Sequence, residues 1–132
     1  MGKEEGYLSV PSTHTNENSF FNRIYANSYN SISDIRLKEN IKPLAKPLAK
    51  ILKLNGVQFN WKDDKKGSKK ENIGLIAQDV EKVFPEVVST DKNGMKSVEY
   101  ANLVAPLIEA IKEQQKEIET LRAEVEALKK KR

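Results

Sequence analysis

The chain has no cysteine and a single histidine, His14. The first absence removes disulfides, thiol nucleophiles and thiolate-ligated metals together. The second removes any site built on several imidazoles. A Ser-His-Asp triad would have to draw on His14, which sits in the polar stretch Ser12–Asn18 and reads as a solvated loop residue. No metal and no cofactor is expected. Long apolar runs are also missing: nothing approaches the roughly 18 residues that mark a membrane span. The residues after Met1 are polar and no apolar stretch follows them, so a signal peptide is not expected either. Aromatic residues make up only 7% of the chain and do not interleave with its two basic clusters, Lys62–Lys70 and Lys129–Arg132. The net charge of +4 therefore does not read as a nucleic-acid surface, which needs stacking platforms beside its cations. Solvated loops and a basic helix C-terminus account for both clusters.

What is present fits one small domain with appendages: 132 residues, 38% hydrophobic and 32% charged. Residues 1–32 are rich in Asn, Ser and Thr, with Tyr7, Phe20, Phe21, Tyr25 and Tyr29 scattered among them. Tyr25, Asn27 and Tyr29 alternate with Ala26, Ser28 and Asn30 in a weak strand pattern. Such a segment cannot build a core of its own and reads as an extended arm or the tail of something larger.

From Ser33 the texture changes. Ser33 and Asp34 are helix-cap types ahead of Ile35-Arg36-Leu37-Lys38. A tandem repeat follows, Lys42-Pro43-Leu44-Ala45 and Lys46-Pro47-Leu48-Ala49. Proline suits a first helical turn, so Pro47 is predicted to open a helix running to about Leu54, with Leu48, Ile51 and Leu52 facing the core and Asn55-Gly56 ending it. Val57–Trp61 reads as a strand with Val57, Phe59 and Trp61 on one face, and Ile73–Ala77 as its partner across a charged loop with Gly67 at the tip. Gln78–Phe84 reads as a short helix stopped by Pro85. Val87 and Val88, Asp91-Lys92-Asn93-Gly94, and Met95–Val98 read as a hairpin with an Asn-Gly turn. The fold class is α+β: a small helix-plus-hairpin core followed by a long terminal helix.

That last helix, from about Tyr100 or Ala101, carries apolar residues at alternating spacings of three and four. Val104, Ile111, Ile118 and Val125 fall at heptad position a, and Leu107, Gln114, Leu121 and Leu128 at d. Four heptads make a coiled-coil seam in which only Gln114 is polar. Pro106 must lie in the first turn or kink the helix. In a parallel assembly Glu117 would face Arg122 of a neighbour, and Glu124 would face Lys129, both attractive. β-branched a positions with Leu at d lean towards a dimer.

Taken by spacing alone, Ser33-Asp34 is a helix cap and Lys38 a surface lysine. The longer pattern says more. Ser33-Asp34-Ile35-Arg36-Leu37-Lys38-Glu39-Asn40-Ile41, the strand Leu54-Asn55-Gly56-Val57-Gln58-Phe59-Asn60-Trp61, the motif Ile73-Gly74-Leu75-Ile76-Ala77-Gln78-Asp79-Val80 with Val83-Phe84-Pro85-Glu86-Val87-Val88, and Ser97-Val98-Glu99-Tyr100 occur in this order. Together they resemble the intramolecular chaperone domain of phage endosialidases and tail fibres, the S74 family of self-cleaving serine peptidases. The resemblance spans about residues 33–125.

It implies a homotrimer, which displaces the dimer lean, and a domain that registers three chains, assists the β-rich fibre or spike region upstream, and then releases itself. Carried to this chain, the nucleophile is Ser33, the base Lys38 and the scissile bond Ile32–Ser33. Asp34 is a candidate to cap the helix, to orient Lys38, or both. Arg36 is a candidate to raise the local positive potential or to pair with Glu39. The implied domains are 1–32, the remnant of the upstream region; 33–100, the chaperone and peptidase core; and 101–132, the coiled-coil helix. The implied location is the host cytoplasm during assembly and, for the parent protein, the virion tail. The alternative is a non-cleaving trimerisation module.

The chemistry sets a condition. An ordinary lysine has a pKa of about 10.4, and bringing it to about 7 takes roughly 3.4 units, or about 4.6 kcal/mol. Desolvation or neighbouring cations must supply that, so Lys38 has to be buried to act, most simply by assembly. An offset of five also fits one face of neither a helix nor a strand. Ser33 and Lys38 meet only across a bend after Ser33, or between chains.

Overall fold

A computed structural model describes residues 26–62 and 70–131. His14, Tyr7, Phe20, Phe21, Tyr25 and the tip of the charged loop at Gly67 lie outside them. The chain divides into two compact units, residues 1–41 and 42–132.

In the first unit the described residues carry one regular element, a 3-10 turn at Ile35–Leu37. Ala26–Asn30, where the alternation hinted at a strand, forms none.

The second unit is α+β, with two small hairpins and a long helix. Helix α1, Pro47–Ile51, begins with proline at its first position, where the missing N–H has no intrahelical partner to lose. Lys46 before it adopts a left-handed conformation (φ 49°, ψ 52°) and offers no side-chain cap. The cap comes instead from far along the chain: Glu113 Oε2 accepts the Leu48 N–H at 3.2 Å. The helix stops at Ile51 rather than Leu54. Leu52 is therefore 71% exposed rather than in the core, while Ile51 and Leu54 do pack there.

Strands β1 (Val57–Phe59) and β2 (Asn72–Gly74) pair antiparallel, with Val57 opposite Gly74 and Phe59 opposite Asn72. Trp61 lies past the end of β1 and is exposed, its ring edge-on to Phe59 at 5.1 Å. Helix α2, Ala77–Val83, ends before Pro85 as expected. Strands β3 (Val88–Thr90) and β4 (Lys96–Val98) form the second hairpin. Its turn has Gly94 at φ +80°, a region open to glycine, and Asp91 Oδ1 accepts the N–H groups of Asn93 and Met95, both at 2.9 Å. Lys96 ties this hairpin to α2, its Nζ donating to Glu81 at 2.9 Å and to Thr90 at 2.8 Å.

Val80, Phe84, Val87 and Leu103 form the buried centre, with Ile51, Leu54, Leu75, Val83, Val88 and Val98 packed around it. Gly74 is fitted against this structure. A Cβ there would stand 2.8 Å from the Tyr100 hydroxyl oxygen and 3.3 Å from Phe59. That oxygen accepts the Leu75 N–H at 2.8 Å. Gly74→Ala should displace Tyr100 and break this bond, lowering unfolding stability by about 1–2 kcal/mol in urea titration. Tyr100→Phe should cost about 1 kcal/mol, because it removes the hydrogen bond without the collision.

A 3-10 turn at Tyr100–Leu103 leads into helix α3, Val104–Lys130. Pro106 is its third residue, so the first-turn condition is met. Leu103, Pro106 and Ala110 are buried, and Glu113 reaches α1, a stripe at spacings of three and four. The seam residues lie on a different face, roughly a quarter turn round the helix at about 100° per residue. Val104, Leu107, Ile111, Ile118, Leu121, Val125 and Leu128 are all between 43% and 65% exposed. Gln114 is exposed among them. The helix thus serves its own core with one stripe and leaves the heptad stripe uncovered in the single chain.

Candidate active site

The 3-10 turn explains how residues five apart meet. Asp34, in extended conformation (φ −66°, ψ 134°), is its N-cap, and its side chain accepts the Arg36 N–H at 2.9 Å. The Asp34 carbonyl accepts Leu37 N–H and the Ile35 carbonyl accepts Lys38 N–H, both at 3.1 Å. Lys38 leaves the turn in extended conformation (φ −119°, ψ 142°). One tight turn between two extended residues folds the chain back on itself. As a result Lys38 Nζ lies 2.6 Å from Ser33 Oγ, the ammonium donating to the hydroxyl oxygen. The bend after Ser33 demanded by the offset is present, and no second chain is needed for the contact.

Asp34 does cap, but a second pairing was missed. The Arg36 guanidinium grips the Asp34 carboxylate with two bonds, Nε to Oδ1 at 3.0 Å and Nη2 to Oδ2 at 2.7 Å. Arg36 thus pairs two residues back, not with Glu39. The readable signal was a cap-type acid two residues before an arginine, a spacing that a 3-10 turn closes but an α-helix does not. The side-chain bond from Arg36 and then its backbone N–H hold the Asp34 carboxyl below the ordinary 3.8, and the same contact raises Arg36. The sign follows: Asp34 remains charged at neutral pH, and the cap and clamp weaken only as pH falls through its lowered pKa.

All these groups are solvent-exposed in the single chain, as is Ile32, 85% exposed, on the other side of the Ile32–Ser33 bond. Ile35, Leu37 and Ile41 are also about two-thirds or more exposed, so the segment presents apolar side chains to solvent. Among the described residues no group of acidic or imidazole side chains could hold a metal ion. No helix among them is long and apolar enough to cross a membrane.

Against known proteins, the family described as chaperone of endosialidase, Peptidase S74, matches residues 33–89. Residues 33–89 carry the Peptidase S74 match, and the rest of the chain lies outside it. The match begins at Ser33 and takes in the turn, α1, both strands of the first hairpin and α2. Beyond the S74 domain itself, the chain is 32% identical over 113 residues to the long tail fiber protein Gp37 of Salmonella phage S16, covering 80% of this chain and 15% of that protein. It is 38% identical over 104 residues to the Gp37 of Enterobacteria phage K3, covering 75% of this chain and 8% of that protein. The chain therefore spans about a seventh or less of the length of these relatives.

Proposed function

We propose that this chain is the intramolecular chaperone of a phage tail fibre or tailspike. It trimerises through α3, sets three chains in register while the upstream β-rich region folds, and then cuts itself free at Ile32–Ser33. The observation that carries the peptidase half of this reading is the 2.6 Å contact between Lys38 Nζ and Ser33 Oγ. The same line that now bears an ammonium donating to Oγ would, after deprotonation, let the amine accept the hydroxyl proton.

The step is then an acyl shift. The Ser33 Oγ–H proton passes to Lys38, and Oγ bonds to the Ile32 carbonyl carbon. As the C–N bond breaks, the Ser33 nitrogen takes a proton and becomes a free amine. Ile32 is left as an ester on Ser33. Water hydrolyses that ester, leaving an Ile32 carboxylate and a fragment that begins at Ser33 with its hydroxyl restored. Oγ is the nucleophile of the first step and water that of the second.

The chaperone half is supported by the uncovered heptad stripe and by the long tail fiber relatives. Burial of Ser33 and Lys38 by assembled chains would disfavour the charged lysine, so cleavage would wait for assembly. Intact-mass measurement combined with light scattering on the purified chain tests both halves. The expected result is a trimer that accumulates a fragment starting at Ser33. A trimer that stays at full length through long incubation would instead favour the non-cleaving assembly module, and a stable monomer would remove both readings.

A further inference from the structure

We infer that Arg36 is a positioning residue for the cleavage reaction: by holding both oxygens of Asp34 it keeps that carboxylate off the Lys38 amine, so that Lys38 faces Ser33 alone. The inference rests on the Ser33–Lys38 reading above.

Four charged side chains occur among residues 26–41, and they are Asp34, Arg36, Lys38 and Glu39. Asp34 precedes Lys38 by four residues, the spacing at which an acid and a following base pair across one helical turn. Here they do not. Among the described residues Lys38 makes no ion pair, and its amine bonds to Ser33. The Asp34 carboxylate is fully engaged instead, with Oδ1 accepting from the Arg36 backbone N–H and Nε, and Oδ2 from Nη2. Glu39 makes no bond to Lys38 either.

The consequence is chemical rather than structural. An opposite charge within about 4–6 Å favours the charged form of a group by roughly 1–3 pKa units. A free Asp34 carboxylate swinging towards Lys38 would stabilise the ammonium, the form that cannot take a proton from Ser33. Arg36 prevents this, and arginine suits the task for two reasons. Its planar fork matches both carboxylate oxygens, and it stays protonated, so it cannot compete as a base. Exposed ion pairs of this kind add little to folding. Arg36 is 84% exposed, so its contribution should be read in cleavage and not in stability.

The test compares self-cleavage against pH in the full chain for wild type, Arg36→Gln, Asp34→Asn and the double variant. Arg36→Gln is expected to move the midpoint of the rate's rise with pH upward by about one unit. That slows cleavage about tenfold near neutral pH and restores it in alkali. The double variant, which has no carboxylate to misplace but keeps a capping oxygen at 34, should return to the wild-type midpoint. An unmoved midpoint in Arg36→Gln, or a shift that persists in the double variant, overturns the inference. Titration of the Lys38 amine by NMR, on a Ser33→Ala background, supplies a readout that does not need cleavage. The same upward shift is expected there in Arg36→Gln, and its absence also overturns the inference. Cleavage at the wild-type rate in Lys38→Ala would instead sink the dyad reading itself, and the NMR comparison would still decide what Arg36 does to Lys38.

Discussion

In Ser33→Ala the Ile32–Ser33 bond is expected to remain whole, with self-cleavage reduced by on the order of 10⁴-fold or more. The reason is stoichiometric. The acyl shift needs Oγ as the atom that takes over the Ile32 carbonyl, and alanine has none. Lys38→Ala should lose less, about 10²–10⁴-fold, the usual worth of a positioned general base. Water can still accept the Ser33 proton, though poorly. Lys38→Arg should behave like Lys38→Ala, because a guanidinium keeps the positive charge but does not shed its proton. A time course on denaturing gels with mass spectrometry of the fragments reads all three. A fragment starting at Ser33 that persists in Ser33→Ala would remove Ser33 as the nucleophile. Persistence at the wild-type rate in Lys38→Ala would leave the 2.6 Å contact without a chemical role. Wild type offers a positive control, since an ester at Ser33 should be cleaved by hydroxylamine.

The second large effect is expected from the other end of the chain. Ile118→Asp should convert the assembly to monomers and, with it, suppress cleavage at Ser33. Ile118 is at a central a position, 43% exposed in the single chain, and an assembled seam would bury it. Burying such a side chain is worth about 1.5–3 kcal/mol, and each chain contributes one. Aspartate in its place loses that and adds carboxylates facing one another in a dry layer, which costs several kcal/mol more. A rise of at least about 10³-fold in the dissociation constant follows, readable by sedimentation or light scattering. The core stripe of the same helix, Leu103, Pro106 and Ala110, is untouched by the change, so the monomer should keep its α+β fold and its far-ultraviolet circular dichroism away from the helix tail. Loss of assembly with unchanged cleavage would uncouple the two functions. Retained assembly would show that the heptad stripe is not the interface.

The sequence showed best what depends on local pattern. α2 was legible because Val80, Val83 and Phe84 fall on one helical face before a proline, and the second hairpin because Asn93-Gly94 suits the turn where Gly94 takes a positive φ. The uncovered stripe of α3 was legible from heptads that the small core has no room to use. The boundaries were less so: Leu52 and Trp61 continue apolar patterns past the ends of α1 and β1, where nothing remains to bury them. Long-range polar contacts were not legible at all. Glu113 capping Leu48 from 65 residues away, and the Tyr100 hydroxyl on Leu75, leave no periodic trace in the chain. At the candidate site, the identities of Ser33 and Lys38 came from family resemblance and their bend from the offset of five. The Asp34–Arg36 grip depends on a 3-10 turn too short to announce itself, and the sequence offered Glu39, not Asp34, as a partner for Arg36.

The compactness of that turn has a regulatory consequence. The proposed nucleophile, base and susceptible bond all fall within Ile32–Lys38, where Lys38 already meets Ser33 at 2.6 Å in the single chain. If Ser33 and Lys38 are the reacting groups, separating them cannot be what keeps the site idle. Under the proposed reading the single chain already carries its own blade, and the water around the exposed Ser33 and Lys38 holds it sheathed. Whatever strips that water away acts as the trigger, and the trigger is then the presence of correctly docked neighbours rather than elapsed time.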